Sequence, residues 1–163
     1  MLFPSPLYNQ RIHQTFGVFL SRTAICSAVG EGHFKTFDGN SYSFIGDCRY
    51  TFAEHINGSF SIEIETVLCG SSGITCTRAI EINIGATTVF LVKGSEPSVN
   101  NVAVTLPKYY NNFMIEVAGL FTIFTADMGL RVMWDGGWYL LVSLQQAKTL
   151  FKYLTKILNT FCS

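Results

Sequence analysis

From Ser41 to Leu144 apolar and polar side chains alternate along the chain, a period of two that sends neighbours to opposite faces of a β-sheet. Phe60, Ile62 and Ile64 alternate with Ser61, Glu63 and Glu65, while Ile80, Ile82 and Ile84 flank Glu81 and Asn83. Val102, Val104 and Leu106 form a further set, as do Phe113, Ile115 and Val117 around Glu116, and Leu130, Val132 and Trp134. Between these runs stand Asn57-Gly58, Gly85-Ala86, Lys93-Gly94, Ala118-Gly119 and Asp135-Gly136-Gly137, where glycine or asparagine supplies the positive φ of a tight hairpin. About nine strands at this spacing predict a mostly β fold, an antiparallel β-sandwich.

The composition fits a packed β domain. Apolar residues make up 48% of the chain and charged residues 13%, a balance that excludes a disordered polyelectrolyte. The length of 163 residues suits one domain with a sizeable core. Eleven basic residues offset eleven acidic ones, which leaves no basic footprint for nucleic acid.

Beyond Leu144 the period changes. Ala147, Leu150, Phe151, Leu154, Ile157, Leu158 and Phe161 fall on one stripe of a 3.6-residue repeat, which predicts a C-terminal amphipathic helix over 145–163. Lys148, Lys152 and Lys156 lie on its other side as a solvated face. Three lysines without a second anchor attract a membrane surface only modestly, so membrane binding is not expected. At the other end, residues 1–25 form an extension without the order of a signal peptide. The apolar run Phe16-Gly17-Val18-Phe19-Leu20 falls well short of the roughly 18 residues of a membrane span. The chain thus divides into an extension (1–25), a β domain (26–144) and a helical tail (145–163). If the domain is extracellular, its targeting signal is expected in an upstream part.

The five cysteines are Cys26, Cys48, Cys69, Cys76 and Cys162, without the paired C-x2-C spacing or nearby histidines of a zinc site. Cys69-Gly-Ser-Ser-Gly-Ile-Thr-Cys76 is a short loop whose glycines and serines let the backbone turn back until the sulfurs meet. A local disulfide is one reading and two buried thiols in a reducing compartment the other. The odd total leaves at least one cysteine without a partner inside the chain.

Catalytic patterns are weak. His13, His33 and His55 are the neutral-pH bases on offer, and none stands in a motif. Ser71-Ser72 lacks the strand-to-helix context of a nucleophile elbow, and Glu63 and Glu65 read as solubilising residues on a wet strand face. No enzyme activity and no small-molecule substrate are expected. Asn57-Gly58-Ser59 fits an N-glycosylation acceptor at a hairpin tip, a position that the turn alone would also favour.

The segment Cys26-Ser27-Ala28-Val29-Gly30-Glu31-Gly32-His33-Phe34-Lys35-Thr36-Phe37-Asp38-Gly39 is similar to the opening of von Willebrand type D domains. That family opens with a cysteine, a Gly-Asp-Pro-His-like turn, Thr-Phe-Asp-Gly, an aromatic strand and a second cysteine followed by an aromatic. Tyr42, Phe44, Gly46, Cys48, Tyr50 and Phe52 stand in those places. The Cys69–Cys76 loop and the run from Gly129 to Gly136 resemble later landmarks, so the resemblance covers Cys26 to Leu144. Glu31-Gly32 replaces the Asp-Pro pair at which some members cleave themselves, so self-cleavage is not expected. The family's later Cys-Gly-Leu-Cys-Gly-Asn stretch and acidic calcium loop have no counterpart, which makes the domain look truncated.

The resemblance implies an extracellular, non-catalytic structural or adhesive module of a secreted multidomain glycoprotein, such as a mucin-like or matrix protein. Its partners would be other extracellular proteins, with covalent oligomers where free cysteines meet. A lipid-associated domain of a lipoprotein-like carrier is the alternative, as is an incomplete gene product without a role of its own. In the family the first two cysteines pair with cysteines in or beyond the missing stretch, so Cys26, Cys48 and Cys162 are expected to be unpaired or intermolecular. Asp38 matches a calcium ligand whose other ligands come from the missing loop. No cofactor is expected, and calcium only if that loop is supplied elsewhere.

Overall fold

The computed structural model describes residues 23–70, 73–145 and 158–161. Within them the chain forms strands only: β1 (Thr23–Val29), β2 (His33–Lys35), β3 (Ser41–Ser43), β4 (Arg49–Glu54), β5 (Phe60–Cys69), β6 (Ile74–Ile84), β7 (Thr87–Val92), β8 (Ser98–Val99), β9 (Val102–Ala103), β10 (Lys108–Tyr109), β11 (Phe113–Ala118), β12 (Phe121–Ala126), β13 (Leu130–Trp134), β14 (Tyr139–Gln145) and β15 (Leu158–Phe161). An eight-stranded sheet runs β10-β11-β12-β13-β14-β1-β2-β3, and a seven-stranded sheet runs β15-β4-β5-β6-β7-β8-β9. Neighbours pair antiparallel, and β1 closes the domain on its far end by pairing Thr23 with Gln145 across β14.

Alternation decides which side chains meet. Phe60, Ile62 and Ile64 of β5 face Ile84, Ile82 and Ile80 of β6 in register, and all six point into the core with Phe52, Val89 and Leu91. The eight-stranded sheet answers with Cys26, Phe113, Ile115, Phe124, Leu130, Val132, Trp134, Leu140, Val142 and Leu144. Burying such side chains contributes about 1.5–3 kcal/mol each, which is why both sheets present their apolar faces to one shared layer. Near the Cys69 end of β5 the register shifts between Glu65 and Thr66: Glu65 pairs with Ala79 and Thr66 with Thr77. The skipped Arg78 is thrown out to solvent, and below it Thr66, Thr75 and Thr77 replace isoleucines on the inner face.

The turns follow the glycines. Gly85-Ala86 and Gly119-Leu120 are two-residue loops whose first residue has φ +56° and +62°, the Gly-X arrangement that matches the twist of paired strands. At the β13–β14 turn Asp135 Oδ1 accepts from the backbone N–H groups of Gly137 (3.0 Å), Trp138 (2.8 Å) and Tyr139 (2.9 Å). One carboxylate thereby satisfies three donors that the turn would otherwise expose.

Two expectations need correction. The strands number fifteen among the described residues, because β2, β3, β8, β9 and β10 span only two or three residues and show too little alternation to be read. The tail is no continuous helix either: Leu158–Phe161 pairs with β4 as an edge strand, Asn159 opposite Tyr50 and Phe161 opposite Arg49. The free edge of β4 offered backbone hydrogen bonds that a short amphipathic stripe does not outweigh. The rest of the predicted helix, with Lys148, Lys152 and Lys156, lies outside the described residues.

Candidate functional site

The segment carrying the family resemblance forms β1, β2, β3 and the turns between them. Between β2 and β3 the chain reverses over Thr36-Phe37-Asp38-Gly39-Asn40, held by Thr36 N–H to Asn40 O (2.8 Å) and Gly39 N–H to Thr36 O (3.0 Å). The Asp38 carboxylate accepts from the Thr36 hydroxyl at one oxygen and from Asn40 Nδ2 (2.8 Å) at the other. The Thr36 hydroxyl above all holds the Asp38 carboxyl below the usual range; desolvation opposes it, and the loop's backbone N–H groups and Asn40 Nδ2 add to the lowering. Asp38 thus serves as a turn residue bonded to its own loop. Calcium needs about six to eight oxygen ligands, and among the described residues no three acidic, histidine or cysteine side chains gather around a common point. The described residues therefore do not fit a calcium site.

Gly32, in the turn before β2, has φ +82°, and a Cβ there would run into the Phe44 carbonyl oxygen. Its N–H donates to Gly30 O (3.0 Å), and Phe44 N–H donates to Gly32 O (2.9 Å). Proline needs φ near −65° and has no N–H, so this backbone is closed to the proline of the Asp-Pro pair.

Cys69 and Cys76 are disulfide-bonded with Cα atoms 5.8 Å apart, where the β5–β6 hairpin ends. Cys26 is free, lies on the inner face of β1 and is 0% exposed. Burial pushes its thiol far above the usual range and also raises the neighbouring Tyr42 phenol, for which Cys26 is the second cause. A thiol held neutral and sealed in the core is inert toward oxidants and other chains. The expectation that Cys48 lacks a partner does not hold, because Cys48 is disulfide-bonded. It immediately precedes Arg49, whose pairing with Phe161 brings the C-terminal strand alongside. Cys162 lies outside the described residues, as do His13, Ser71 and Ser72.

A family model of the von Willebrand factor type D domain matches residues 26–149, most of the chain and all of β1 to β14 beyond its first strand residues. The chain belongs to the von Willebrand factor type D domain family. It is 41% identical to SCO-spondin of Gallus gallus over 122 residues, 74% of this chain. It is 38% identical to Mucin-5AC of Homo sapiens over 119 residues, 69% of the chain, and 37% identical to Mucin-2 of Rattus norvegicus over 116 residues, 68% of the chain. The chain spans 2% of the length of the first two relatives and 7% of the third.

The rest of this type D domain shows where its other singled-out residues stand. His33 Nδ1 bonds Ser43 Oγ at 2.9 Å across the exposed β2–β3 pair. His55 is 8% exposed, accepts from Asn57 N–H (3.3 Å) and packs against Phe60 at 5.7 Å between centroids. Asn57 is exposed at the tip of the β4–β5 turn, while the Ser59 hydroxyl of the same sequon is buried without a partner.

Glu63 and Glu65 are more than solubilising. Arg49 Nη1 stands 2.8 Å from Glu81 Oε2 and 3.9 Å from Glu63 Oε2, and Arg78 pairs with Glu65. Desolvation first, then the Glu81 charge, raises the Glu63 carboxyl above its ordinary value, with Arg49 opposing. The reading of these glutamates as wet missed the two arginines. The cross-strand register that puts Arg49 opposite Glu65 and Glu63 opposite Glu81 carries that information, and pairing the alternating runs would have found it.

Proposed function

We propose that this domain is a non-catalytic structural and adhesive module of an extracellular multidomain glycoprotein of mucin-like or matrix kind. The Cys69–Cys76 bond carries the reading: it staples a hairpin end between half-buried Cys69 and buried Cys76, and such bonds persist in oxidising compartments and are rare in the cytosol. Membership of the type D family and likeness to mucins and SCO-spondin support it.

In this reading the module meets other extracellular protein surfaces through its eight-stranded sheet, whose outer side carries Ile25, Val29, Phe121, Met133, Tyr139 and Leu141. Asn57 bears a glycan at the exposed tip of the β4–β5 turn in the seven-stranded sheet, where it disturbs no strand pairing. Expression behind a secretory leader tests the proposal. Soluble protein in the medium should lose mass on peptide N-glycosidase treatment, and Asn57→Gln should abolish that loss. Retention of the reduced chain inside the cell as aggregate, with no glycan on Asn57, would contradict it.

A further inference from the structure

We propose that the cavity of about 360 Å3 lined by Glu81, Thr88, Phe90, Asn100 and Asn101, on the outer face of the seven-stranded sheet, is a binding site for a neutral saccharide. Its volume lies within the ~300–1,000 Å3 range of small-molecule pockets. The proposal stands on this cavity alone and does not depend on the module reading above.

A pyranose ring presents one face of C–H groups and a rim of hydroxyls, each both donor and acceptor. A complementary site needs an apolar plate beside side chains with fixed, unspent hydrogen-bonding capacity. Phe90 is the plate: it points outward from β7, half-buried, in a row otherwise made of Thr51, Glu63, Glu81 and Ser98. An aromatic ring among such neighbours has no core to fill.

The polar rim is held by neighbours and keeps capacity in reserve. Asn100 N–H donates to Thr88 O (2.8 Å) and Asn100 Oδ1 accepts from Thr88 N–H (2.9 Å), which leaves Asn100 Nδ2 as a donor. Thr88 Oγ1 donates to Asn83 Oδ1 (2.8 Å) and keeps its lone pairs. Asn83 Nδ2 donates to Glu81 Oε1 (3.1 Å), whose second oxygen accepts from Arg49 (2.8 Å). Side chains locked in this way lose little freedom on binding, which favours affinity.

The rim's turn points the same way. Asn100 and Asn101 form the two-residue β8–β9 loop with φ +49° and +66°, a conformation in which the second position favours glycine. Asn101 takes that position with a full side chain and lines the cavity.

Charge selects the ligand class. Glu81 stands in the cavity wall, Glu63 is its cross-strand neighbour, and Arg49 already lies against both glutamates and 5.8 Å from the centre of the Phe90 ring. An acidic sugar or a phosphate meets repulsion there, and a neutral hexose or N-acetylhexosamine does not.

Titration of the isotopically labelled full chain with galactose, N-acetylglucosamine and methyl mannoside, followed by amide NMR, tests the assignment. At least one neutral sugar should shift the Thr88, Phe90, Asn100 and Asn101 amides saturably at millimolar concentration. Phe90→Ala should abolish the shifts. Asn101→Gly, which keeps the turn's positive φ and therefore the fold, should weaken binding about tenfold. The absence of saturable shifts at these amides with every neutral sugar would overturn the proposal, as would binding unchanged in Asn101→Gly. Equal binding of N-acetylneuraminic acid would overturn the neutral class.

Discussion

The two sheets share one core but turn different outer faces to the surroundings. Outside the seven-stranded sheet the rows read Thr51, Glu63, Glu81 and Phe90, then Ser61, Asn83 and Thr88, stitched by Arg49 and by hydrogen bonds between neighbouring side chains. Outside the eight-stranded sheet the middle row reads Glu116, Ile123, Met133, Leu141 and Ser27, with Phe121, Tyr139 and Val29 beside it. Ile123 lies outside the shared core, yet it is 2% exposed because its row neighbours cover it. One face is finished against water by ion pairs, and the other gathers apolar surface suited to another protein surface.

Truncation on the apolar side should cost most. Ile123→Ala is expected to lower unfolding free energy by about 2 kcal/mol in urea denaturation, because its methylenes are already removed from water. A loss within the error of the measurement would show that the row is not packed.

On the charged side the effects should be smaller and depend on pH. Arg49→Ala strips the counter-ion from Glu63 and Glu81 and should cost about 0.5–1 kcal/mol at neutral pH, discounted for the exposure of the pair. The loss should shrink as acid protonates Glu63; a loss independent of pH would mean that Arg49 acts by packing on Phe90.

Glu63→Gln should act in the opposite direction. The folded-state carboxyl is raised above its ordinary 4.5, so the folded chain binds this proton more tightly than the unfolded chain. The resulting stabilisation is fully present below 4.5 and is lost as pH rises through the raised value. Glutamine stays neutral, so Glu63→Gln should gain up to about 0.5 kcal/mol at neutral pH and none in acid. A loss at neutral pH would mean that attraction to Arg49 outweighs desolvation and Glu81.

The smallest stability effect is expected on the exposed part of the apolar side. Ile25 and Val29 are 46% and 43% exposed, and Ile25→Lys with Val29→Lys should change stability by no more than about 0.5 kcal/mol. The same pair should reduce binding of a hydrophobic dye to the folded chain, and undiminished binding would place the sticky surface elsewhere.

Much of this was legible because isoleucines spaced by two, as in Ile80-Glu81-Ile82-Asn83-Ile84, state both the strand and its inner face. The turn glycines marked the hairpins for the same local reason. The apolar outer face was written less plainly. Tyr139-Leu140-Leu141-Val142 and Phe121-Thr122-Ile123-Phe124 break the alternation, and continuous apolar runs mark strands covered on both sides. Leu158–Phe161 could not be read because its state depends on the edge of β4, more than a hundred residues away in sequence. The cavity at Phe90 was equally hidden, since Glu81, Thr88 and Asn100 come together only through strand register.

The most direct test of the proposal that this is an extracellular, disulfide-braced module is a non-reducing peptide map of the full chain purified from an oxidising secretory compartment. The account expects Cys69 cross-linked to Cys76 and Cys26 reduced, alkylated only after denaturation. Five free thiols in a soluble chain that unfolds cooperatively would contradict it.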